Sequence, residues 1–320
     1  MTAPAAHASP RVSVAMITYN HAKFIAQAIE SVLMQQAPFP IELVIGEDCS
    51  TDGTRAIVEH YARLRPDIVR PLLHTTSQGM HGNFRAVVQA CRGEFIACLE
   101  GDDYWTDAAK LEKQIELFEA HSELALTFHR VRGVDADGNP LGWDLPEQSP
   151  TGLIIEVEDI VDSVKFSTAS VIFRGDRLRA LDFDRIATYP VGDYPTVVLS
   201  CKDGGRIGYI DTYMADYRRH EGGITFALHR HNALSLLKLA DMWRDLGHLT
   251  GKIEEPAFRR RISLQYSWAA RALATDGYSK RALVAETVCL KFSNGHPLQR
   301  CLHFLNGVLR IVGSLVFRSA

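Results

Sequence analysis

Three acidic residues lie close together in the stretch Glu100-Gly101-Asp102-Asp103. Asp102 and Asp103 are adjacent carboxylates, and such groups repel each other wherever burial removes the screening by water. Two arrangements relieve the repulsion: one carboxyl group takes a proton, or a cation sits between the two and lowers both pKa values. Carboxylate oxygens on a short loop suit Mg²⁺ or Mn²⁺ better than zinc, and such ions commonly hold phosphates. A solvated turn without chemistry is the alternative explanation.

The residues around the acidic stretch predict a strand before it and a helix after it. Phe95 to Leu99 is a short apolar run of the kind that fills a buried parallel strand. Gly101 relaxes the backbone where that strand ends, so the two adjacent carboxylates need not point to opposite faces as strand neighbours would. Thr106 is placed to cap the following helix. The apolar positions of that helix are Leu111, Ile115 and Phe118.

Two earlier strands also end in polar residues. Val12–Thr18 is an apolar run followed by Tyr19-Asn20, and Asn20 is placed to cap the next helix. Ile41–Ile45 is a second apolar run, and it leads into Glu47-Asp48. Strands and helices that alternate at short intervals predict parallel βαβ units, in which ligands bind beyond the carboxyl ends of the strands. We therefore expect these strand ends and the acidic stretch to line one crevice.

Later segments complete the predicted sheet. Ile68–His74 predicts an outer strand, because proline is tolerated best at a sheet edge and Pro71 lies within it. Asn83 is predicted to start the helix that follows. Thr168–Arg174 and Arg206–Tyr213 predict two further strands.

Asp193 and His220 are candidates from the second half of the chain. Asp193 lies in Val191–Pro195, and Pro195 suits the first turn of a helix. The positive end of that helix should favour the ionised form of Asp193, although a plain helix cap explains the residue equally well. His220 belongs to the basic loop Tyr217–Gly223, where it could bind a metal or be an ordinary surface histidine.

Bulk composition narrows the classes of function. The chain has 320 residues and a formal net charge of −3, so its charge gives no support for nucleic-acid binding. Its six cysteines form no CxxC pair, which predicts reduced thiols and a cytoplasmic protein. Neither a GxGxxG dinucleotide motif after the first strand nor a P-loop motif occurs. Residues 1–10 are rich in Ala and Pro without an apolar core, which predicts a disordered leader.

The pattern becomes all-helical from about residue 231 and ends in a predicted helix at 297–317. No run of about 18 uncharged apolar residues occurs, so no segment is predicted to span a membrane. The last helix either docks on the domain or lies at a membrane surface. Residues 297–318 carry no acidic residue, which suits peripheral contact with an anionic membrane at the inner face of the plasma membrane. The basic residues there are Arg300, Arg310 and Arg318.

Taken together, these stretches resemble the family 2 glycosyltransferases, of the kind that assemble bacterial polysaccharides. The fold that this resemblance implies is the α/β GT-A fold, a Rossmann-like nucleotide-binding mixed sheet flanked by helices, here with a C-terminal all-helical extension. It implies a glycosyltransferase domain at 11–230 and the extension at 231–320. The stretches that carry the resemblance are VSVAMITYN (12–20), GEDCSTDGT (46–54), GEFIACLEGDDYW (93–105), STASVIFR (167–174), VGDYP (191–195) and YRRHEGG (217–223).

The resemblance implies transfer of a sugar from a nucleotide diphosphate-sugar, with Mn²⁺ or Mg²⁺ as cofactor and inversion at the anomeric carbon. It implies that Asp103 is the direct metal ligand, that His220 contacts the metal or the diphosphate, and that Asp193 is the general base. The QxxRW motif of processive synthases is absent, so we expect single additions to a glycan or lipid-linked acceptor. Glu47 and Cys49 depart from the family pattern in the base pocket. The resemblance implies nucleotide-base contacts by Thr18 and Asp48 and places Asp102 together with Asp103 in the metal motif. Tyr19, Asn20 and Asn83 complete the predicted donor-binding set.

Two other functions remain open at this point. A metal-dependent nucleotidyltransferase uses a similar sheet and acidic turn, but it usually needs a basic, Gly-rich loop near the first strand, where residues 18–24 offer only Lys23. A non-catalytic nucleotide-sugar-binding protein would not need Asp193. For the donor, Asp48 favours uridine or thymidine diphosphate, because a carboxylate accepts the N3–H of uracil and the matching cytosine nitrogen has no hydrogen.

Overall fold

The computed structural model describes residues 9–223 and 233–293. Contacts between residues divide the chain into two compact units. The predicted boundary at 230, the predicted helix at 297–317 and most of the predicted leader at 1–10 lie outside the described residues. The first unit comprises the chain up to Glu156, Val164–Asp184 and Gly204–His220, and the second comprises Val157–Ser163, Arg185–Asp203 and the chain from Glu221 onwards.

The described residues form strands and helices that alternate through most of the first unit. The strands are β1 (Val12–Thr18), β2 (Ile41–Glu47), β3 (Val69–Leu73), β4 (Phe95–Glu100), β5 (Tyr104–Trp105), β6 (Leu124–Val134), β7 (Pro140–Leu145), β8 (Ile154–Ile155), β9 (Ile172–Arg174) and β10 (Arg206–Arg218). The α-helices are α1 (Ile25–Leu33), α2 (Thr54–Leu64), α3 (Gly79–Ala90), α4 (Lys110–Ala120), α5 (Val157–Asp162), α6 (Gly175–Arg179), α7 (Phe183–Ile186), α8 (Asp193–Ser200), α9 (Ala233–Leu249), α10 (Pro256–Thr275) and α11 (Ser279–Phe292).

The first unit is built on one mixed sheet with the strand order β3-β2-β1-β4-β9-β6-β10-β5. Strands β1 to β4 run parallel, because α1, α2 and α3 carry the chain back between them. Both β1 and β4 are almost wholly buried, as strands covered on both faces must be. This is the predicted βαβ arrangement, and β3 with Pro71 lies at the edge of the sheet as predicted.

The apolar face of α1 packs into the core of the sheet, and its buried residues are Ile25, Ala28, Ile29 and Val32. The three predicted helix caps are wrong. Helix α1 begins only at Ile25, and Asn20, whose backbone is left-handed with φ of 55°, accepts through Oδ1 from Thr51 N–H at 2.8 Å rather than from the helix. Asn83 lies inside α3, and α4 begins four residues after Thr106 without a side-chain cap.

The predicted strand at 168–174 is shorter than expected. Its first part, Thr168–Ser170, is a 3₁₀ turn, and β9 begins at Ile172. Side chains take the carbonyl groups of this turn: Trp105 Nε1 donates to Ala169 O at 2.9 Å, and Gln114 Nε2 donates to Ser170 O at 3.0 Å. These carbonyls therefore bond to side chains rather than to a neighbouring strand.

The second unit is helical, as predicted for the C-terminal part of the chain. Trp243 of α9 and Phe258 of α10 are buried in it. Unlike the predicted linear boundary, the observed division also gives α5 and α8 to this unit, because Arg261 Nε donates to Val161 O at 2.6 Å and the ring of Tyr194 lies 5.3 Å from that of Trp243. None of the helices in the described part of the chain has the length and apolar character needed to cross a membrane.

Candidate active site

The carboxyl ends of β1, β2 and β4 lie side by side at one edge of the sheet. Main-chain hydrogen bonds continue past the strands, with Asp48 N–H donating to Thr18 O at 3.1 Å and Gly101 N–H donating to Ile17 O at 2.9 Å. The structure therefore brings Thr18, Asp48 and the acidic stretch to one place, as the alternation of strands and helices predicted.

Gly101 leaves no room for a side chain. A Cβ at this position would lie 2.6 Å from Thr18 Oγ1 and 3.0 Å from Ile25 Cδ1. Its φ is not among the positive values found in the chain, so backbone freedom is not what requires glycine here. Close packing against β1 and α1 requires it instead. This corrects the role that the sequence suggested for Gly101.

Asp102 faces two histidines. Its Oδ2 lies 3.0 Å from His220 Nε2 and 3.7 Å from His21 Nε2, and one ligand atom from each of the three residues lies within 4.8 Å of the others. The ring of His220 also packs on that of Phe24, with 4.7 Å between centroids. Burial opposes ionisation of Asp102, but the hydrogen bond with His220 and the electrostatic interactions with His21 and His220 hold its pKa below the ordinary value.

Asp103 faces inward. It is 2% exposed, and its Oδ1 accepts from Arg218 N–H at 2.7 Å. Burial and the neighbouring charges of Asp102 and Glu100 raise the pKa of Asp103 well above its ordinary value. Of the two adjacent carboxyl groups, Asp103 is therefore the one that ionises less readily. The geometry favours Asp102 over Asp103 as a metal ligand, which reverses the order implied by the resemblance.

His21 is the member of this cluster that the sequence did not single out. Its main-chain N–H donates to Thr54 Oγ1 at 2.9 Å, and its Nδ1 lies 3.3 Å from Thr18 Oγ1, which leaves Nε2 facing Asp102. Burial lowers the pKa of His21, and the neutral imidazole is the form that binds metals. The sequence feature that identifies His21 as a candidate is its position just beyond the first parallel strand, where ligands of such sheets bind.

The donor set of this cluster fits a divalent cation. Two imidazole nitrogens and one carboxylate oxygen converge, and all three side chains are partly exposed, so a bound ion would keep positions for ligands from outside the protein. Within residues 9–223 and 233–293, no other group of His, Cys, Asp and Glu side chains is arranged to hold a metal.

Asp48 holds the loop that leads into α3. Its Oδ1 accepts from Gln78 N–H at 2.6 Å, and its Oδ2 accepts from Gly79 N–H at 2.9 Å and from the Ser77 hydroxyl at 2.8 Å. Asp48 is buried, and of the about four acceptor positions of a carboxylate these bonds use three, two on Oδ2 and one on Oδ1.

Asn83, a predicted donor-binding residue, is internal to the fold. It is 2% exposed, its Nδ2 donates to Gly46 O at 2.9 Å, and its Oδ1 lies 3.1 Å from His74 Nε2. Both ends of the amide are therefore bound within the protein. The structure gives Asn83 the role of joining α3 to β2 rather than contact with a ligand.

The three residues after β1 differ in exposure. Thr18 is 2% exposed and lies beside His21, whereas the side chain of Tyr19 is 50% exposed. Asn20 joins two loops, because its N–H donates to Ser50 Oγ at 3.0 Å and its Oδ1 accepts from Thr51 N–H. Of the three, Tyr19 has the side chain most open to a ligand.

Asp193 belongs to the second unit. It is the first residue of α8, it is exposed, and its Oδ1 accepts from Tyr194 N–H at 2.8 Å. Desolvation by the surrounding protein raises the pKa of Asp193, although the residue reaches solvent. This is opposite to the shift that the helix end alone would cause. The general-base role of Asp193 stays a prediction.

Comparison with known proteins gives the family. Residues 13–175, about half of the chain, match the model of glycosyl transferase family 2. The chain belongs to this family. The glycosyltransferase is 32% identical over 298 residues to the uncharacterized protein Rv1520 of Mycobacterium tuberculosis, covering 87% of this chain and 79% of that protein. It is 36% identical over 132 residues to the putative teichuronic acid biosynthesis glycosyltransferase TuaG of Bacillus subtilis, covering 41% of this chain and 51% of TuaG.

Solved structures match the fold of this glycosyltransferase along most of its length. TarS 1–349 of Staphylococcus aureus in complex with UDP-GlcNAc matches with a TM-score of 0.58 and 17% identity, covering 95% of this chain and 89% of that chain. The mannosyltransferase PcManGT of Pyrobaculum calidifontis in complex with GDP-Man and Mn²⁺ matches with a TM-score of 0.55 and 16% identity, covering 98% and 88%. The predicted GT-A fold is thus confirmed, and the match to glycosyl transferase family 2 confirms the predicted enzyme class.

Proposed function

We propose that this glycosyltransferase transfers a sugar from a uridine or thymidine diphosphate-sugar to a glycan or lipid-linked acceptor, with a divalent metal held by Asp102, His220 and His21. The observation that carries the proposal is the convergence of these three side chains beyond the end of β4. The edge formed by the carboxyl ends of parallel strands is where sheets of this kind bind nucleotides.

The metal in this proposal is Mn²⁺ rather than Mg²⁺, because two of the three donors are imidazoles and Mg²⁺ prefers oxygen ligands. A divalent ion held there supplies Lewis-acid stabilisation of the negative charge on a diphosphate leaving group. Asp102 takes the place that the resemblance gave to Asp103. The Mn²⁺ and GDP-Man bound by PcManGT support a metal in this fold.

The donor base in this proposal meets Asp48. The remaining acceptor position on Asp48 Oδ1 suits the N3–H of uracil or thymine. The UDP-GlcNAc bound by TarS supports a uridine nucleotide. Thr18 and Tyr19 lie at the same edge of the sheet and remain candidates for donor contacts.

Asp193 is the general base in this proposal, and the reaction inverts the anomeric carbon in single additions. A base must take the proton of the acceptor hydroxyl on the face opposite the leaving diphosphate. A raised pKa makes the Asp193 carboxylate a stronger base, which suits this role. A nucleotide-sugar-binding protein without catalysis is the alternative, and it would not depend on Asp193.

The place of action in this proposal is the cytoplasm, with the segment 297–318 touching the inner face of the plasma membrane. That segment lies outside the described residues, so the support is its sequence alone, with Arg300, Arg310 and Arg318 and no acid. Flotation of the full chain with anionic liposomes, but not with neutral ones, is the expected result. Equal flotation with anionic and with neutral liposomes would contradict the proposed membrane contact.

The test of the main proposal is a donor screen. Release of nucleoside diphosphate is measured for UDP-, dTDP- and GDP-sugars with Mn²⁺, with Mg²⁺ and with EDTA. We expect turnover of a uridine or thymidine donor that requires Mn²⁺. His220→Gln should lose the turnover that Mn²⁺ supports, whereas His60→Gln, at an exposed position on α2, should behave as wild type. A guanosine preference would contradict the base assignment, and full activity in EDTA would contradict the metal.

A further inference from the structure

The Arg218 side chain is buried beside the cluster of His21, Asp102 and His220. It is 5% exposed, its Nε donates to Asp102 O at 2.9 Å, and its own main-chain N–H donates to Asp103 Oδ1 at 2.7 Å. Arg218 therefore holds both acidic residues of the turn, one through the side chain and one through the backbone. It does so only two residues before His220 in the chain.

The rest of the guanidinium group binds two other segments. Its Nη1 donates to Ala136 O at 2.8 Å, in the turn between β6 and β7, and its Nη2 donates to Gln27 Oε1 at 2.7 Å, on α1. The rings of Phe24 and Tyr104 pack against the same group, with their centroids 4.7 Å and 5.0 Å from Cζ. All three guanidinium nitrogens are thus occupied within the protein.

We propose that Arg218 is a positioning residue for the metal site. It fixes the main chain of Asp102, and with it the direction in which the Asp102 carboxylate meets His21 and His220. It also ties that turn to the β6–β7 turn, so that the metal site and the hairpin keep one arrangement. This inference rests on the proposed metal-binding function of the cluster.

The chemistry of arginine explains why this residue suits the position. A guanidinium group is planar, has five N–H donors in a fixed fork and stacks on aromatic rings. Lysine has a compact ammonium group on a flexible chain, so it cannot reach Asp102 O, Ala136 O and Gln27 Oε1 in the same way. Arg218→Lys therefore keeps the charge between the two rings and removes the geometry.

The experiment compares two arginines of the same unit. Arg174 provides the matched control, because its Nε also donates to a main-chain carbonyl, Leu124 O at 2.7 Å, and its Cζ also lies near two rings. Mn²⁺ alone is titrated into each full-length protein, and free Mn²⁺ is measured by electron paramagnetic resonance. Residues that support metal ligands typically change metal affinity about 10- to 100-fold when mutated. We expect a loss in that range for Arg218→Lys and none for Arg174→Lys.

The outcomes separate this inference from the proposed function. Wild type that fails to bind Mn²⁺ would overturn the metal function itself. If wild type binds Mn²⁺ and the variants Arg218→Lys and Arg174→Lys have the same Mn²⁺ affinity as each other, the positioning role of Arg218 is overturned. Saturating Mn²⁺ should restore much of the turnover of Arg218→Lys, because the ligands themselves are intact.

A second variant covers the case in which Arg218→Lys does not fold. Gln27→Ala removes one acceptor of the guanidinium group from the exposed side of α1, where alanine suits the helix. A weaker loss of Mn²⁺ affinity in the same direction is expected. Unchanged affinity in this variant, at unchanged melting temperature, would contradict the inference.

Discussion

Replacing Asp102 and Asp103 by asparagine, one at a time, tests the assignment of the metal ligand. In the cluster, Asp102 supplies the anionic donor beside the imidazoles of His21 and His220. Two unit charges 4 Å apart attract by about 4 kcal/mol at an effective dielectric constant of 20, and a divalent ion doubles this before desolvation is subtracted. A net loss of about 3 kcal/mol for Asp102→Asn, about 100-fold in Mn²⁺ affinity, is a conservative expectation.

Asp103→Asn should behave differently. Asp103 is buried and does not belong to the group of ligand atoms formed by Asp102 and the two histidines, and an asparagine Oδ1 can still accept from Arg218 N–H. We expect Mn²⁺ affinity within about threefold of wild type, which is about 0.7 kcal/mol.

The assay is titration of Mn²⁺ into the unliganded protein, followed by free-ion resonance or by calorimetry. Melting temperatures of the metal-free variants show whether a loss of binding reflects unfolding. If Asp103→Asn lowers the affinity as much as Asp102→Asn does, the inward direction of Asp103 is not what decides the ligand. Both acids would then have to be counted as contributors to metal binding.

Three further predictions concern Gly101, Lys110 and Asp193. Gly101→Ala should destabilise the fold by about 1–3 kcal/mol in urea unfolding, because its Cβ would lie 2.6 Å from Thr18 Oγ1. Gly152→Ala is the control and should change the stability little, because the atom nearest to its Cβ would lie 3.5 Å away. Burial lowers the pKa of Lys110 to about 7, so between about pH 7 and pH 10 the unfolded chain binds more protons than the folded chain. Across that range the free energy of unfolding of wild type should therefore rise by up to about 4 kcal/mol relative to that of Lys110→Met. A difference in unfolding free energy that stays constant with pH would contradict this. Asp193→Asn should lower turnover about 10²- to 10⁴-fold with donor affinity kept, and near-normal turnover would remove it from the mechanism.

The strands and the edge where they meet could be predicted from the sequence, since each is a short apolar run followed by polar residues. β1 was predicted at its observed bounds, and β2 and β4 extend only slightly beyond theirs. Such strands are buried on both faces, so a continuous apolar run is enough to identify them in the sequence. The helix starts were not predictable in the same way. Asn20 and Asn83 look like caps locally, but tertiary partners, Thr51 N–H and Gly46 O, take their side chains.

The members of the candidate site were predictable only where a local motif marks them. Asp102 and His220 lie in motif stretches, whereas His21 becomes a member because Thr54 holds its main-chain N–H and Thr18 bonds to its ring. That orientation depends on the approach of the loops after β1 and β2, which neither stretch reveals alone. The sequence does not reveal the raised pKa of Asp193 for a similar reason, because desolvation comes from the surrounding fold and not from the local helix end.

The choice between the two adjacent acids is decided by a single turn. Asp103 N–H donates to Glu100 O at 3.2 Å, which closes a four-residue turn with Gly101 and Asp102 in its central positions. The central residues of a turn lie at its apex, so Asp102 faces outward. Asp103 lies at the closing position, directly before β5, whose pairing with β10 brings Arg218 N–H to its carboxylate. The packing of Gly101 on β1 sets where the turn begins, and this contact between distant segments places Asp102 beside His21 and His220 and Asp103 beside Arg218 N–H.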